Sequence, residues 1–432
     1  MVEEQQRRQQ WWWWHYSYYL KVCNFKRKME EEAAAANGRS QTEATAELKE
    51  KKKKKKVKSK YSYLPKIGCL RIEEDEQGNF DVAVDSINGE PANPYHLVVM
   101  VNGIIGSAQN WKFAAEQFLK RYPRDVIVHC SKANSATLTF DGVDVMGDRL
   151  AEEILSVIER NPSVKKISFI GHSLGGLVAR YAIAKLFRQD PGKENSLGNG
   201  NCKSDVSGDT SVEEKFTSRI AGLEPMNFIT LATPHLGSKW HKQVPLFCGS
   251  YTLERMAARM SWCLGKTGKH LFLTDGGNGK TPLLLQMVRD SENLKFMSAL
   301  QSFKHHIAYA NTRFDHLVGW STSSLRRRNE LPKRRHLSRD EKYRHIVRME
   351  ASKTSSPQQE LPADAKVDEC KSIDMEDEMI QALTKVSWER VDVKFNGYRQ
   401  RFLAHNTILV KTYCLYSDGA DVVQHMIDNF RL

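Results

Sequence analysis

The chain has 432 residues, enough for one large domain or two ordinary ones. Hydrophobic residues make up 40% of it, and no apolar run approaches the roughly 20 residues that span a bilayer, which argues against a membrane-spanning protein. The formal net charge of +13 is concentrated in two blocks.

The two basic blocks are residues 1–60, with 16 Lys/Arg against 8 Asp/Glu, and residues 325–348, with 10 against 3. Such blocks favour anionic surfaces such as phospholipid head groups. A solvated linker and a solvated loop are the alternative interpretation. Neither block interleaves its charge with base-stacking aromatics, so no specific nucleic-acid partner is expected.

The eight cysteines are scattered singly, which predicts neither a zinc site nor a disulfide framework. No metal and no organic cofactor is expected. Reduced thiols fit the cytoplasm, with or without peripheral association with membranes or lipid droplets. An organelle such as a plastid is the alternative location, and the sequence leaves the oligomeric state open.

Residues 1–60 are predicted to be a disordered extension of low complexity, because an alanine run and six consecutive lysines cannot bury a core. The acidic start makes this a poor secretory signal. The tryptophan cluster from Trp11 to Trp14, followed by lysines, could alternatively lie at a membrane interface.

From residue 61 onward the chain reads as one domain in which apolar runs alternate with amphipathic segments. Strands alternating with helices predict an α/β fold, with a mainly parallel, doubly wound sheet and helices on both faces. The expected strands, in chain order, are a hairpin at 68–87 and single strands at 96–103, 125–130, 165–171, 226–238, 303–312 and 388–395. Two polar insertions are expected, at about 189–216 and 326–373.

The segment that most clearly suggests a catalytic residue is Gly171-His172-Ser173-Leu174-Gly175, between a predicted strand and a predicted helix. A serine presented above a parallel sheet sits on a tight turn, so glycine is favoured two residues before and two residues after it. Ser173 is therefore the candidate nucleophile, and Gly171 and Gly175 are the glycines of the turn. A glycine turn without catalysis is the alternative.

A serine nucleophile needs a base, an acid that orients the base, and donors for the oxyanion. In this fold the acid follows the serine, near the end of a later strand, and Asp315 occupies such a position. A solvated loop aspartate is the alternative reading of Asp315. Asp275 is a rival, although its Asp-Gly-Gly context favours a turn.

The base is expected last in the chain, where two histidines follow the strand at 388–395. His405 lies in a loop before an apolar stretch, whereas His425 falls inside the predicted terminal helix. His405 is the preferred candidate on position alone. The oxyanion donors are expected to be the backbone amides of Leu174 and Ile104, since Gly103 lets the backbone approach closely.

Several ordered motifs carry a resemblance to a known family. They are "VNGIIGSAQNW", "NSATLTFDGVDVMGDRLAEEI", "GHSLGGLVARYAI", "ITLATPHLGS", "AYANTRFDHLVGW" and "FLAHNTILV". Together they resemble the lipase-like putative serine esterase family, especially its plant-type members, in the α/β-hydrolase superfamily. The resemblance implies a carboxylic ester hydrolase acting on lipids. The chain departs from many lipases at Asn102, where a histidine before glycine is common.

Residues 239–300 are inserted where such enzymes carry lids, so a helical, lid-like region is expected there. The residues that could form its apolar entrance are Trp240, Leu246, Phe247, Met256, Met260, Trp262 and Leu264. Ordinary core helices are the alternative.

The leading hypothesis is a serine hydrolase that cleaves acyl esters or lipids through Ser173, Asp315 and His405. Acyl transfer by the same three residues is a second hypothesis. A non-catalytic lipid- or protein-binding module on the same scaffold is a third.

Overall fold

The computed structural model describes residues 69–74, 80–87, 90–91, 93–190, 217–238, 264–277, 279–351, 367–396 and 403–432. The predicted extension at 1–60 and most of the predicted insertion at 189–216 lie outside these residues. So do six of the seven entrance residues of the expected lid; Leu264 is the exception.

The described part of the chain folds around one ten-stranded sheet and a separate two-stranded hairpin. The strands are β1 (Cys69–Glu74), β2 (Phe80–Ile87), β3 (Glu90–Pro91), β4 (His96–Val101), β5 (Val126–Cys130), β6 (Lys166–His172), β7 (Phe187–Asp190), β8 (Thr217–Ile220), β9 (Glu224–Leu231), β10 (His305–Asn311), β11 (Ile346–Glu350) and β12 (Trp388–Val393). The large sheet has the order β1-β2-β5-β4-β6-β9-β10-β12-β11, with β3 paired to β2.

The six central strands of the large sheet, from β5 to β12, run parallel, while β1, β2 and β11 pair antiparallel at its two sides. Every residue of β4 is buried, as expected for a strand covered on both faces. Because parallel strands end at one edge, the segments after β4, β6, β10 and β12 meet there.

Helices cover both faces of the sheet. They are α1 (Lys112–Arg121), α2 (Val143–Arg160), α3 (Leu174–Leu186), α4 (Gly265–Leu271), α5 (Leu283–Gln286), α6 (Phe296–Gln301), α7 (Trp320–Ser324), α8 (Val367–Leu383), α9 (Ala404–Thr407), α10 (Tyr413–Tyr416) and α11 (Ala420–Asp428). Short 3-10 turns occur at Ala108–Trp111, Ala136–Phe140, Arg328–Glu330, Arg334–His336 and Ser417–Gly419.

Two hydrophobic cores lie on opposite faces of the sheet. One contains the apolar residues of α2, α3, α6 and α8, and the other contains those of α1, α9 and α11. Helix α3 is buried on almost all sides, since it lies between the sheet and its neighbours α2 and α6. This doubly wound arrangement is the α/β-hydrolase fold, which confirms the predicted fold class.

Residues 326–351, which fall inside the insertion expected at 326–373, contribute an edge strand and several ion pairs to the domain. Strand β11 pairs antiparallel with β12 at the edge of the sheet. Buried Arg326 binds the carboxylate of Asp392 at 2.8 Å, Arg327 binds Asp377 at 2.8 Å, and Lys342 binds Asp428 at 2.7 Å. Acidic side chains distant in sequence therefore fix part of this basic block to the domain.

The described part of the expected lid, residues 264–300, also contributes to the core. Leu271, Leu284, Leu285, Met287 and Phe296 are buried in the same cluster as α2 and α3. For these residues the alternative, ordinary core packing, describes the structure.

Candidate active site

Ser173 lies on a sharp turn between β6 and α3, at the carboxyl edge of the sheet. Its backbone has φ 55° and ψ −129°, in the positive-φ region that side chains rarely adopt. The Ser173 N–H donates to the carbonyl oxygen of Leu231 on the neighbouring strand β9 at 2.9 Å. The strained turn expected from the sequence is therefore present, and β9 holds it in place.

The two glycines of the turn are needed for different close contacts. A Cβ on Gly171 would lie 2.5 Å from Cα of Gly176, in the first turn of α3. A Cβ on Gly175 would lie 2.3 Å from the carbonyl oxygen of Val101, at the end of β4. Gly171 thus lets the strand approach the helix, whereas Gly175 lets the helix approach a second strand.

Asp315 and His405 meet at the same edge of the sheet, although 90 residues separate them in sequence. The His405 Nδ1 and Asp315 Oδ2 atoms are 3.0 Å apart, and both side chains are buried. Asp315 also accepts hydrogen bonds from the N–H groups of Leu317 at 3.0 Å and Val318 at 2.9 Å. These donors define the carboxylate's position before any substrate is present.

Burial acts to raise the pKa of the Asp315 carboxyl, because it disfavours the charged form. The charge and hydrogen bond of His405, together with hydrogen bonds from Asn311 and the Val318 N–H, outweigh burial and place the pKa of Asp315 below its ordinary value. The carboxylate is therefore ionised at neutral pH and can stabilise a protonated His405.

Two further side chains connect the segments that carry these residues. The Asn311 side-chain amide donates to Asp315 Oδ2 at 2.9 Å and to the carbonyl oxygen of Ala404 at 3.3 Å. His172 Nε2 donates to the carbonyl oxygen of His405 at 2.8 Å, and the two imidazole centroids are 4.7 Å apart. Burial and then the charge of His405 lower the pKa of His172 well below its ordinary value, so His172 is a neutral donor.

The rival residues lie in other surroundings. His425 Nδ1 bonds the hydroxyl of Tyr309 at 2.8 Å, and its Nε2 lies 3.1 Å from the sulfur of Met349. Asp275 Oδ2 accepts the N–H of Leu283, at the start of α5, at 2.7 Å and lies 3.9 Å from His270 Nε2. The geometry thus favours the pair of Asp315 with His405.

Ser173 and His405 are 9% and 7% exposed, so both are largely buried but not fully closed to solvent. Within the described residues no hydrogen bond joins Ser173 Oγ to His405. Bonds between nucleophile and base are often longer in the absence of substrate and shorten in the reacting complex.

Gly103 brings the loop after β4 against the serine. A Cβ on Gly103 would lie 2.8 Å from Cβ and 3.3 Å from Oγ of Ser173. The next backbone amide is that of Ile104. Leu174 is the first residue of α3, and its N–H has no acceptor within the helix. Both expected oxyanion donors therefore belong to backbone adjacent to the nucleophile.

Residues 91–325 match the family model described as "Putative serine esterase (DUF676)". The chain belongs to this putative serine esterase family. The matched range includes Ser173 and Asp315, and His405 lies beyond it.

Curated relatives that resemble this esterase-family chain carry the name "Putative lipase". It is 29% identical over 272 residues to "Putative lipase ROG1" of Saccharomyces cerevisiae, covering 61% of this chain and 33% of the relative. It is 24% identical over 237 residues to "Putative lipase C4A8.10" of Schizosaccharomyces pombe, covering 53% and 26%. The chain thus spans about a third or less of these relatives' length. The names of the family and of these relatives refer to serine esterases and lipases.

Two solved structures similar to this esterase-family chain are an esterase and a lipase by title. Carboxyl esterase 2 of Tuber melanosporum is 10% identical, with a TM-score of 0.35, and the match covers 80% of this chain and 82% of that one. Mature lipase BlEst2 of Bacillus licheniformis is 15% identical, with a TM-score of 0.30 and coverage of 54% and 72%.

The described residues contain no group of three or more His, Cys, Asp or Glu side chains arranged to hold a metal ion. None of their helices has the length and apolarity needed to cross a bilayer.

Asn311, which joins the segments that carry the acid and the base, is not among the residues predicted from the sequence. Its position four residues before Asp315, at the end of a strand, was the available signal. The hydrogen bond from His172 to the His405 carbonyl joins residues that are 233 positions apart, so no local sequence pattern predicts it.

Proposed function

We propose that this protein is a serine hydrolase that cleaves carboxylic esters through Ser173, His405 and Asp315. The observation that carries the proposal is the buried contact of 3.0 Å between His405 Nδ1 and Asp315 Oδ2, beside a serine on a strained turn. This contact fixes the tautomer of His405, because Nδ1–H donates to the carboxylate and leaves Nε2 free to accept a proton.

In the first half of the reaction, His405 Nε2 takes the proton of Ser173 Oγ while Oγ bonds to the ester carbonyl carbon. The carbonyl oxygen becomes an oxyanion, and the amides of Leu174 and Ile104 stabilise it. The bond from carbon to the alcohol oxygen then breaks, and His405 gives its proton to that oxygen. An acyl-enzyme on Ser173 remains.

In the second half, water attacks the acyl carbon and gives a proton to His405. The new oxyanion collapses, the bond from carbon to Ser173 Oγ breaks, and Ser173 recovers the proton from His405. Throughout both halves the ionised Asp315 stabilises the imidazolium and holds its ring in place.

We infer that the substrates are acyl lipids met at a lipid surface. Four large apolar side chains that are more than 40% exposed lie on the segments around the site: Leu138, Leu317, Tyr413 and Leu415. Leu317 follows Asp315 by two residues, and Tyr413 follows His405 by eight. Exposed apolar side chains on segments that flank a reactive centre fit an apolar substrate or surface.

The proposal is tested with Ser173→Ala in the full chain, using p-nitrophenyl esters of increasing acyl length and a fluorophosphonate probe. We expect hydrolysis and labelling in the wild type and neither in the variant. The matched control is Ser163→Ala, since Ser163 Oγ donates to the carbonyl of Pro94 at the opposite edge of the sheet. Turnover that persists in Ser173→Ala would contradict the assignment, and an unlabelled wild type would favour a binding module.

The lipid surface is tested separately with Leu415→Ser. We expect slower hydrolysis of an emulsified long-chain ester and unchanged hydrolysis of a soluble short-chain ester. Leu155→Ser is the control, because Leu155 is also more than 40% exposed but lies on the outer side of α2. Equal effects of the two substitutions would contradict a surface at the site.

A further inference from the structure

We infer that Asn102 is a positioning residue of the oxyanion hole: its side-chain amide holds the peptide between Gly103 and Ile104 so that the Ile104 N–H faces Ser173. The inference rests on the proposed function and adds a residue that acts through a backbone group. Asn102 directly follows β4 and is buried.

Asn102 fixes the carbonyl of the neighbouring residue. Its Nδ2 donates to the Gly103 carbonyl oxygen at 3.2 Å and to the Asn134 carbonyl oxygen at 2.9 Å. The Gly106 N–H donates to the same Gly103 oxygen at 3.0 Å. Two donors thus hold the Gly103 carbonyl within the turn formed by residues 103–106.

The orientation of that carbonyl determines the direction of the amide that shares its plane. In a planar trans peptide the C=O and the following N–H point in opposite directions. Gly103 lies against Ser173, as the 3.3 Å between its Cβ position and Ser173 Oγ shows. With the Gly103 oxygen held in the turn, the Ile104 N–H is directed to the other side, where the oxyanion would form.

Further hydrogen bonds connect the turn at residues 103–106 to the segment after β5. Asn134, which accepts from Asn102, donates its own Nδ2 to the carbonyl of Met146 on α2 at 2.8 Å. The Ile105 N–H donates to Thr139 Oγ1 at 3.0 Å, and the Ala136 N–H donates to the Gly106 carbonyl at 3.1 Å. These hydrogen bonds connect the turn at residues 103–106 to the segment after β5 and, through Asn134, to α2.

The amide oxygen of Asn102 gives a second reason to assign the role to its nitrogen. Asn102 Oδ1 is buried and has no hydrogen-bond partner among the described residues. An unpartnered buried acceptor destabilises a fold. The two N–H donors of Asn102, in contrast, are both used, one by the Gly103 carbonyl within the turn and one by the Asn134 carbonyl after β5.

The experiment compares Asn102→Ala with Asn161→Ala in the full chain. Asn161 makes the same kind of bond, from Nδ2 to the Val157 carbonyl at 2.8 Å, but at the far end of α2. For a soluble ester we expect Asn102→Ala to lower kcat about 10- to 100-fold with KM within threefold, because removal of one oxyanion donor costs about 10²- to 10³-fold. Asn161→Ala should keep the wild-type kcat.

Crystal structures of the wild type and of Asn102→Ala provide a readout that does not depend on activity. We expect the Gly103 carbonyl to rotate in the variant, so that the Ile104 N–H no longer faces Ser173. An unchanged peptide, or a kcat within threefold of wild type, would overturn the inference. If Asn102→Ala does not fold, Asn102→Ser, whose hydroxyl is too short for both carbonyls, replaces it.

The two proposals fail in different ways. A wild type that neither hydrolyses esters nor reacts with the fluorophosphonate would overturn the proposed function. In that case the crystallographic comparison alone still decides whether Asn102 sets the orientation of the Gly103–Ile104 peptide.

Discussion

Replacement of Gly103 by alanine tests how tightly the loop after β4 presses on the nucleophile. The added Cβ would lie 2.8 Å from Ser173 Cβ and 3.1 Å from the carbonyl oxygen of His172. Nonbonded carbon atoms prefer about 3.5–4.0 Å, so one side of the contact must move by about 0.7 Å or more. Gly103 is not among the described residues with positive φ, so the backbone itself tolerates alanine.

The expected losses follow from that displacement. A misplacement of about 1 Å at a reacting group can cost about 10²-fold in rate, so kcat/KM for a soluble ester should fall by about that factor. Overpacking in a tight contact destabilises by about 1–3 kcal/mol. The measurements are steady-state hydrolysis and the free energy of unfolding from urea denaturation.

Gly277→Ala is the matched control, because nothing lies within 4 Å of its Cβ position. It should leave kcat/KM unchanged and alter the free energy of unfolding by less than about 0.5 kcal/mol. If Gly103→Ala kept kcat/KM within threefold of wild type, the close approach of Gly103 to Ser173 would not describe the working enzyme.

Three further predictions concern named polar groups. Asp315→Asn should lower kcat by up to about 10⁴-fold, since an amide in place of the carboxylate favours the wrong tautomer of His405; a loss below tenfold in ester hydrolysis would contradict that role. His172→Phe should lower kcat about tenfold at unchanged KM, and His172→Gln, which keeps an N–H donor, should recover part of the loss; equal kcat values for the two variants would refute a positioning role. Burial lowers the pKa of His96 to about 3, so the unfolded chain binds a proton near pH 6.5 that the folded chain does not. The contribution of His96 to the free energy of unfolding is therefore complete above pH 6.5 and is lost as the pH falls towards 3. In urea titrations, His96→Gln should reduce the loss of unfolding free energy between pH 7 and pH 5 by about 2 kcal/mol. Parallel pH profiles of the two proteins would show that His96 is not responsible.

The elements nearest in sequence to the nucleophile could be predicted, because their determinants are local. An apolar run, two glycines around Ser173 and a helical apolar pattern lie within residues 165–187. The strained φ of 55° at Ser173 follows from that same short segment. Position along the chain was enough to propose Asp315 and His405, since the fold dictates the order of its loops.

The connections between distant loops could not be predicted, because they depend on which side chains the sheet brings together. Asn311 and His172 both donate to carbonyls of the segment that carries His405. In the sequence each is an ordinary polar residue near the end of a strand. Only the parallel register of β6, β10 and β12 places them beside that segment.

Composition alone does not predict the ion pairs of residues 326–351. A block of basic residues resembles a solvated loop when its partners are far away in the chain. Asp392 on β12 and Asp428 on α11 lie 66 and 86 residues beyond the cations that they bind. A run of basic residues can therefore be interpreted only when its acidic partners are known, and a single sequence does not show which distant residues pair.

The backbone strain at Ser173 has a consequence for how such a chain would change if it lost its chemistry. A non-glycine residue in a sparsely populated conformation costs about 1–3 kcal/mol. Ser173→Gly would relieve that cost, so a descendant that no longer needed the hydroxyl should drift to glycine and become more stable. A serine that persists at a position where glycine fits better points to selection on its oxygen atom, and Ser173→Gly should raise the free energy of unfolding while it abolishes hydrolysis.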